Sequence, residues 1–225
     1  MNDRNAPPAV SVLMPVYNAA RYVGVAIESI LGQTFADFEF IIIDDGSTDG
    51  GLDILRRYGD QDPRIRLVSR ENRGLVNTLN EGIGLAHAPL IARMDADDIS
   101  LPERLEKQVD FMAAHPEVVA CGTNYVLIDE RGRQFTDGMS RYHGNDSVQE
   151  RLLMGDCVIS HPSVMVRTEA IREVDGYRQG FPHAEDLDLW LRLGEKGRLD
   201  VLATVLLRYR DHVGSVSTSH HAHQV

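Results

Sequence analysis

The strongest constraint on the fold is an alternation, in the N-terminal half, of short β-rich apolar runs with segments of helical periodicity. The apolar runs cover residues 10–14, 38–43, 65–68 and 90–94, and the helical segments cover 20–31, 51–58 and 74–86. Strands separated by helices of about ten residues are typical of βαβ units, whose strands lie parallel in one sheet. The pattern therefore predicts an α/β domain, in which Pro15 ends the first strand.

The pattern continues less regularly in the C-terminal half. It predicts a helix from Pro102 to about His115, a strand over 118–121, and a hairpin within 123–145 whose turn is 129–132. Further elements are expected as helices at 146–154 and 185–193 and as strands at 163–166 and 205–209. No linker rich in proline or glycine interrupts the 225 residues, so we expect one domain.

Charge and cysteine content exclude several classes of protein. The formal net charge is −11 at pH 7, which argues against a protein that binds nucleic acid by neutralising its phosphates. Cys121 and Cys157 lack metal-binding spacing, and we expect both to be buried free thiols in a reducing compartment. The first ten residues do not resemble a signal peptide and no apolar run is long enough to span a membrane. We expect a cytoplasmic chain, with peripheral membrane contact left open.

Polar clusters follow three of the predicted strands, at 15–18, 44–50 and 95–98. Ligands of open parallel sheets bind at the carboxyl ends of the strands, where these clusters belong. Each cluster alone is equally well explained by turn and capping preferences. Three carboxylates within four positions, at Asp95, Asp97 and Asp98, repel one another unless a cation lies between them. A divalent metal with oxygen ligands is the economical partner.

A fourth cluster, Glu185 and Asp186, opens the predicted helix AEDLDLWLRL. Acidic side chains in a first turn are stabilised by the helix dipole, which accounts for them without any function. A carboxylate placed there could also take a proton from an attacking hydroxyl. The residues leave both interpretations open.

Eight segments, in order, resemble bacterial glycosyltransferase family 2. They are PVYN (15–18), IIIDDGSTDG (41–50), LNEGI (79–83), RMDADD (93–98), LPERLEKQV (101–109), HPSVM (161–165), AEDLDLWLRL (184–193) and YRDHVGSVS (209–217). The resemblance extends from about Ala9 to Ser217. PVYN or the acidic DDGS alone would be weak, whereas the whole ordered set is specific.

The resemblance implies a GT-A fold: a mainly parallel central sheet flanked by helices, with a less regular acceptor-binding half. The domain would cover 9–217, with a nucleotide-sugar-binding half at about 9–121 and an acceptor half at about 122–217. Residues 1–8 and 218–225 would be flexible tails. The implied activity is inverting transfer from a nucleoside-diphosphate sugar, by family frequency a UDP-sugar, to a hydroxyl of a glycan or lipid-linked glycan. Mn²⁺ or Mg²⁺ would assist, in surface polysaccharide or glycolipid biosynthesis.

The family's donor-binding residues carry over onto the strand-end clusters. Base and ribose would be held by Pro15, Val16, Tyr17, Asn18 and Asp45. Asp45 would accept a hydrogen bond from the base ring, and Asp44 would support its loop.

The Asp-x-Asp element corresponds to Asp95, Ala96 and Asp97. Its first carboxylate would lie near the ribose, and Asp97 would lie near the metal that bridges the diphosphate. Asp98 would be a supporting residue. Arg73 is a weaker candidate for nucleotide contact, and His212 a weaker candidate for the metal or the diphosphate.

The family's catalytic base falls on Asp186, and Glu185 would orient the acceptor. One departure is clear: many relatives carry Ala-Arg-Asn where this chain has Thr78-Leu79-Asn80. A nicotinamide oxidoreductase is not supported, because the first strand end lacks GxGxxG. The alternative that remains is a non-catalytic nucleotide-sugar-binding protein on the same fold.

Overall fold

Four parallel strands and three helices alternate in the first half of the computed structural model, which describes residues 7–138 and 142–212. The strands are β1 Val10–Val16, β2 Phe38–Asp44, β3 Ile65–Ser69 and β4 Leu90–Arg93. The helices are α1 Val23–Leu31, α2 Gly51–Gln61 and α3 Leu75–Leu85. The predicted βαβ arrangement is confirmed, with element ends shifted by a few residues.

Both faces of these strands are buried, which explains their nearly continuous apolar sequence. Leu13 of β1 faces Leu79 of α3 in one core cluster, whereas Val12 and Met14 face the opposite side with Ile27 of α1. Successive strand residues therefore supply two cores, one under each layer of helices.

Pro15 lies inside β1, so the expectation that it ends the strand is wrong. The amide of Met94 donates to the carbonyl of Leu13, which shows that Leu13, and with it Pro15 two residues later, points its backbone groups toward β4. The pairing of β1 with β4 ends at Leu13 and Arg93. Because no β4 carbonyl lies opposite Pro15, its missing N–H costs no ladder bond.

The second half extends the same sheet with both strand directions. Its strands are β5 Ile99–Ser100, β6 Val118–Ile128, β7 Gln134–Gly138, β8 Met165–Arg167 and β9 Arg198–Arg210. Its helices are α4 Arg104–Ala114, α5 Asn145–Leu153, α6 Thr168–Glu173 and α7 Glu185–Gly194, with a short 3₁₀ turn at His161–Ser163. The strand order is β3-β2-β1-β4-β8-β6-β9-β5, and β7 pairs with β6.

The hairpin expected within 123–145 is confirmed as β6 and β7, but the strand expected at 118–121 is the beginning of β6 itself. The boundary drawn between residues 121 and 122 therefore falls inside a strand. β5 and α6 were not expected. The two residues of β5 form a strand only because β9, more than a hundred residues later, pairs with them, with Ile99 opposite Arg208.

The two thiols differ in exposure. Cys121 is buried as expected, whereas Cys157 is exposed, so that expectation is wrong for Cys157. Among residues 7–138 and 142–212, none of the helices combines the length and the apolar character needed to cross a membrane. The expected tails, apart from residues 7 and 8, and the end of the last family segment at 213–217 lie outside the described residues.

Candidate active site

The loops after β1 and β2 are tied together at the carboxyl edge of the sheet. Asn18, whose φ is 49°, accepts a hydrogen bond from the amide of Thr48 at 2.8 Å and donates its own amide to Ser47 Oγ at 3.0 Å. Asp49 accepts from the amide of Ala20 at 2.7 Å. Two of the predicted strand-end clusters therefore form one surface, with the exposed ring of Tyr17 beside it.

Asp44 and Asp45, which follow each other at the end of β2, bind different partners. Asp44 is buried and accepts hydrogen bonds from the amide of Ser47 at 3.1 Å and the hydroxyl of Ser69 at 2.8 Å. It thereby fixes the turn after β2. The carboxylate of Asp45 accepts from the amides of Arg73 at 2.8 Å and Gly74 at 3.0 Å.

Arg70, which the sequence analysis did not select, forms an ion pair with Asp45. Its guanidinium also donates to Glu81 at 2.8 Å and to the hydroxyl of Thr78 at 2.9 Å. Burial lowers the pKa of Arg70, but the bonds to Glu81 and Asp45 outweigh it and raise that pKa. The sequence feature that could have pointed to Arg70 is the absence of an arginine from residues 78–80. Arg70, just after β3, contacts Thr78, the first of those residues.

The side chain of Arg73 does not join Asp45. It is exposed and lies 3.7 Å from Glu71, so only its backbone amide belongs to the cluster. The structure thus places the backbone of Arg73 at the predicted position, whereas its guanidinium points elsewhere, toward Glu71.

The third strand end gathers Asp95, Asp97 and Asp98, each of which offers one oxygen within 4.8 Å of the others. Arg93 forms an ion pair with Asp95. Burial raises the pKa of Asp95, Arg93 opposes this, and Asp97 adds to the rise. Ala96 between them is buried in the core. Asp98 is only 2% exposed, and one of its oxygens accepts from the amide of Arg210 at 2.7 Å.

The end of β9 closes over this acidic cluster. Arg210 donates from Nε to the carbonyl of Asp97 at 2.7 Å, and Nε2 of His212 lies 2.9 Å from Oδ2 of Asp97. Both Arg210 and His212 pack against the ring of Tyr22. The weak candidate His212 is therefore placed beside the predicted metal ligand.

These residues fit a hard divalent cation. Burial raises the pKa of Asp98 well above its usual range, and the charges of Asp97 and Asp95 raise it further, so Arg93 and the Arg210 amide do not fully compensate the negative charge of this cluster. In the described parts of the chain, Oδ2 of Asp98 is buried without a hydrogen-bond partner. Adjacent ligands of an octahedral Mg²⁺ are about 3 Å apart, close to the spacing between Asp97 and His212. Carboxylate oxygens with one imidazole suit Mg²⁺ or Mn²⁺.

The N-terminus of α7 faces the same space. Asp186 accepts from the amide of Leu187 at 2.8 Å, and its other oxygen lies 3.3 Å from Sγ of Cys157. The charge of Glu185 raises the pKa of Asp95, so the two carboxylates interact through their charges. The structure therefore brings the fourth cluster together with the third.

A buried tyrosine, Tyr177, interacts electrostatically with carboxylates of both acidic groups. Burial raises the pKa of Tyr177, Arg93 opposes this, and Asp186 is the largest of the acidic contributions that add to it. Its hydroxyl lies 2.6 Å from Nε2 of His161, whose ring packs edge-on against buried Trp190. The sequence analysis gave Tyr177 no role, because nothing local marks a tyrosine whose hydroxyl meets His161, sixteen residues earlier in the chain.

Comparison with protein families decides the class to which this site belongs. Residues 11–175 match the model described as glycosyl transferase family 2. The chain belongs to this family. It is a glycosyltransferase, and its α/β sheet with flanking helices has the GT-A fold of its structural neighbours.

This glycosyltransferase is 36% identical over 214 residues to the O-antigen biosynthesis glycosyltransferase WbnJ of Escherichia coli, covering 93% of this chain and 82% of that protein. Two solved structures share its fold. S. aureus TarS 1–349 in complex with UDP-GlcNAc has a TM-score of 0.77 at 22% identity, covering 93% of this chain and 60% of that chain. The mannosyltransferase PcManGT of Pyrobaculum calidifontis, in complex with GDP-Man and Mn²⁺, has a TM-score of 0.69 at 19% identity, covering 94% and 59%.

Proposed function

We propose that this glycosyltransferase transfers a sugar, with inversion, from a nucleoside-diphosphate sugar to an acceptor hydroxyl. The observation that carries the proposal is the acidic cluster of Asp95, Asp97 and Asp98, together with Asp186, whose charge acts with that of Asp95 on the buried hydroxyl of Tyr177. Inversion in one displacement needs a base on one side of the anomeric carbon and charge compensation for the diphosphate on the other. Two acidic groups facing one space provide both.

The nucleotide would lie on the surface formed by the first two strand ends. Asp45 and the segment Pro15, Val16, Tyr17 and Asn18 would hold base and ribose, with Asp95 and Ala96 at the ribose. Bound UDP-GlcNAc in TarS and GDP-Man in PcManGT support a nucleotide-sugar donor. We take a UDP-sugar as the donor.

Asp97 and His212 would hold Mn²⁺ or Mg²⁺, with Asp98 supporting them. A bound divalent ion would compensate the charge of the leaving diphosphate. Mn²⁺ in PcManGT supports this assignment. Because the chain carries a net charge of −11, we expect donor binding without a divalent ion to be weak.

Asp186 would accept the proton of the acceptor hydroxyl as its oxygen forms the bond to the anomeric carbon and the bond to the diphosphate breaks. Glu185, at the same helix terminus, would orient the acceptor. One oxygen of the Asp186 carboxylate accepts from the amide of Leu187, and the other lies 3.3 Å from the Cys157 thiol.

The biosynthesis of a surface polysaccharide or glycolipid is the proposed setting, supported by the similarity to WbnJ, an O-antigen biosynthesis glycosyltransferase. The acceptor would be a glycan or lipid-linked glycan, met in the cytoplasm or at the inner face of the membrane. Within the chain, residues up to about 121 would bind the donor, and those from about 122 to 217 would bind the acceptor.

A donor panel tests the proposal. Purified protein is incubated with UDP-, GDP-, CDP- and dTDP-sugars, with and without Mn²⁺ or Mg²⁺, and released nucleoside diphosphate is measured. We expect metal-dependent release from one donor class. Binding that does not depend on metal, with no release from any donor, would favour the alternative of a non-catalytic nucleotide-sugar-binding protein.

A further inference from the structure

The segment between α5 and the 3₁₀ turn contacts α7 at two points. Cys157 lies in this segment, four residues before His161. The sulfur of Cys157 is 3.3 Å from Oδ2 of Asp186, in the first turn of α7. His161 packs its ring edge-on against Trp190, one turn further along the same helix. One of the two contacts therefore falls on the proposed base.

The contact between Cys157 and Asp186 is a hydrogen bond in which the thiol donates. An ionised carboxylate only accepts, so the proton between the two groups is that of the S–H. The carbonyl of Ile159 is a second acceptor for this S–H, but it lies farther from the sulfur, at 3.6 Å, and it is uncharged. Hydrogen bonds to a charged acceptor are the stronger ones, so the thiol donates to Asp186.

Trp190 acts on the same sulfur. Its side chain is wholly buried, and in the described parts of the chain its Nε1–H has no oxygen or nitrogen acceptor. Burial raises the pKa of the Cys157 thiol and the charge of Asp186 adds to the rise, whereas the Trp190 N–H lowers that pKa by donating toward the sulfur. Asp186 and Trp190 share one face of α7, being four residues apart. The sulfur thus accepts from one residue of the helix and donates to the other.

The carboxylate of Asp186 is held at both of its oxygens. Oδ1 accepts from the amide of Leu187 at 2.8 Å, and Oδ2 accepts from the Cys157 thiol. Rotation of the carboxylate would break one bond or the other. A carboxylate has about four lone-pair sites, so about two stay open for the hydroxyl of an acceptor.

We infer that Cys157 is a positioning residue: its thiol holds the carboxylate of Asp186 in the orientation that accepts the proton of the acceptor hydroxyl. This role rests on the proposed function, in which Asp186 is the general base. A general base acts within hydrogen-bonding reach of the proton that it accepts, and a misplaced base costs rate. The thiol keeps its own proton throughout and acts only through Asp186.

Steady-state kinetics of two matched variants test the role, with the UDP-sugar from which the full chain releases UDP fastest in the presence of Mn²⁺. We expect Cys157→Ala, which removes the donor, to lower kcat about 3- to 10-fold, the worth of one ordinary hydrogen bond. Cys157→Ser keeps a donor of similar size, and kcat should return to within about twofold of wild type. In both variants the KM for the UDP-sugar and the affinity for UDP should stay within about twofold, because only the reaction step uses the base.

Ser160→Ala is the control for changes to the segment. The backbone carbonyl of Ser160 accepts from Ser163, but its side chain forms no hydrogen bond among the residues that the structure describes. We expect Ser160→Ala to retain the wild-type kcat. An equal fall in kcat in Ser160→Ala and Cys157→Ala would assign the effect to the segment as a whole and overturn the role of the thiol.

Infrared spectroscopy of the full chain reads the hydrogen bond without any substrate. The S–H stretching band of Cys157 is identified by its loss in Cys157→Ser. Donation to a carboxylate lowers the frequency of such a band, so we expect it at higher frequency in Asp186→Asn, where the acceptor is uncharged. The band of the buried thiol Cys121 should stay in place and serves as the internal reference.

The outcomes separate the positioning role from the proposed function. An unchanged kcat in folded Cys157→Ala, or a Cys157 band at the same frequency in Asp186→Asn, would overturn the positioning role and leave the proposed function standing. A Cys157→Ser enzyme as slow as Cys157→Ala would also overturn it, since restoring a donor would then restore nothing. A fully active Asp186→Asn enzyme would overturn both, because no base would remain to be positioned.

Discussion

Nε2 of His212 lies 2.9 Å from Oδ2 of Asp97 although 115 residues separate them in the chain. The contact exists because β9 runs parallel to β6 and pairs with β5, which follows Asp98 directly. The same pairing brings the amide of Arg210 to Asp98. The last strand therefore completes the acidic cluster.

Replacing His212 tests whether it belongs to a metal site. We expect His212→Gln to weaken Mn²⁺ binding by roughly 10- to 100-fold, and Asp97→Asn to weaken it further because a charged ligand is lost. Mn²⁺ titration followed by electron paramagnetic resonance measures both. Asp60→Asn, an exposed change on α2, is the matched control. Unchanged Mn²⁺ affinity in both site variants would remove these residues from the metal site.

Asp186→Asn tests the proposed base. Removing a general base lowers turnover by about 10²- to 10⁴-fold. In the proposed arrangement the nucleotide would lie on the other side of the site, so we expect kcat to fall while UDP binding stays within about twofold. Steady-state kinetics and nucleotide titration separate the two effects. A fully active Asp186→Asn enzyme is incompatible with the role.

Alkylation of Cys157, whose sulfur lies 3.3 Å from Asp186, tests the same part of the site. Although Cys157 as a residue is exposed, burial of its sulfur raises the pKa of the thiol and the charge of Asp186 adds to the rise. Because the thiolate is the form that reacts, alkylation should accelerate as pH increases. We expect iodoacetamide to modify one thiol per chain and to block turnover, because the adduct lies beside Asp186. Mass spectrometry should place the label on Cys157, since Cys157 is exposed whereas Cys121 is buried. Cys157→Ser should resist inactivation, and loss of activity in that variant on treatment would contradict the explanation.

His161 predicts acid sensitivity. Burial lowers the pKa of its imidazole well below the usual range, and Arg93 lowers it further. The unfolded chain takes up this proton below about pH 6.5 while the folded chain does not, so the free energy of unfolding should fall as pH drops from that value. Urea unfolding between pH 5 and 8 should show a flatter profile for His161→Gln. His115→Gln, at an exposed histidine, should leave the profile unchanged.

Local pattern was sufficient for the four parallel strands, because each is a buried apolar run bounded by turn residues. It failed at Pro15, where the cost of a missing N–H depends on where β4 ends. It also failed at β5, whose two residues become a strand only through β9. Cys157 was misjudged for a related reason: a cysteine in a loop is buried or exposed according to what packs over that loop.

The sequence by itself determined the kind of chemistry available: acidic groups after strands and at a helix start, in an order typical of one family. Those signals are local, since they depend on residue type and spacing along a few turns of chain. Only the tertiary structure decided the partners, joining His212 to Asp97, Cys157 to Asp186 and Arg70 to Asp45. Such contacts depend on strand register and loop path, which bring atoms within hydrogen-bonding distance although the residues are too far apart in the chain for any local pattern to predict.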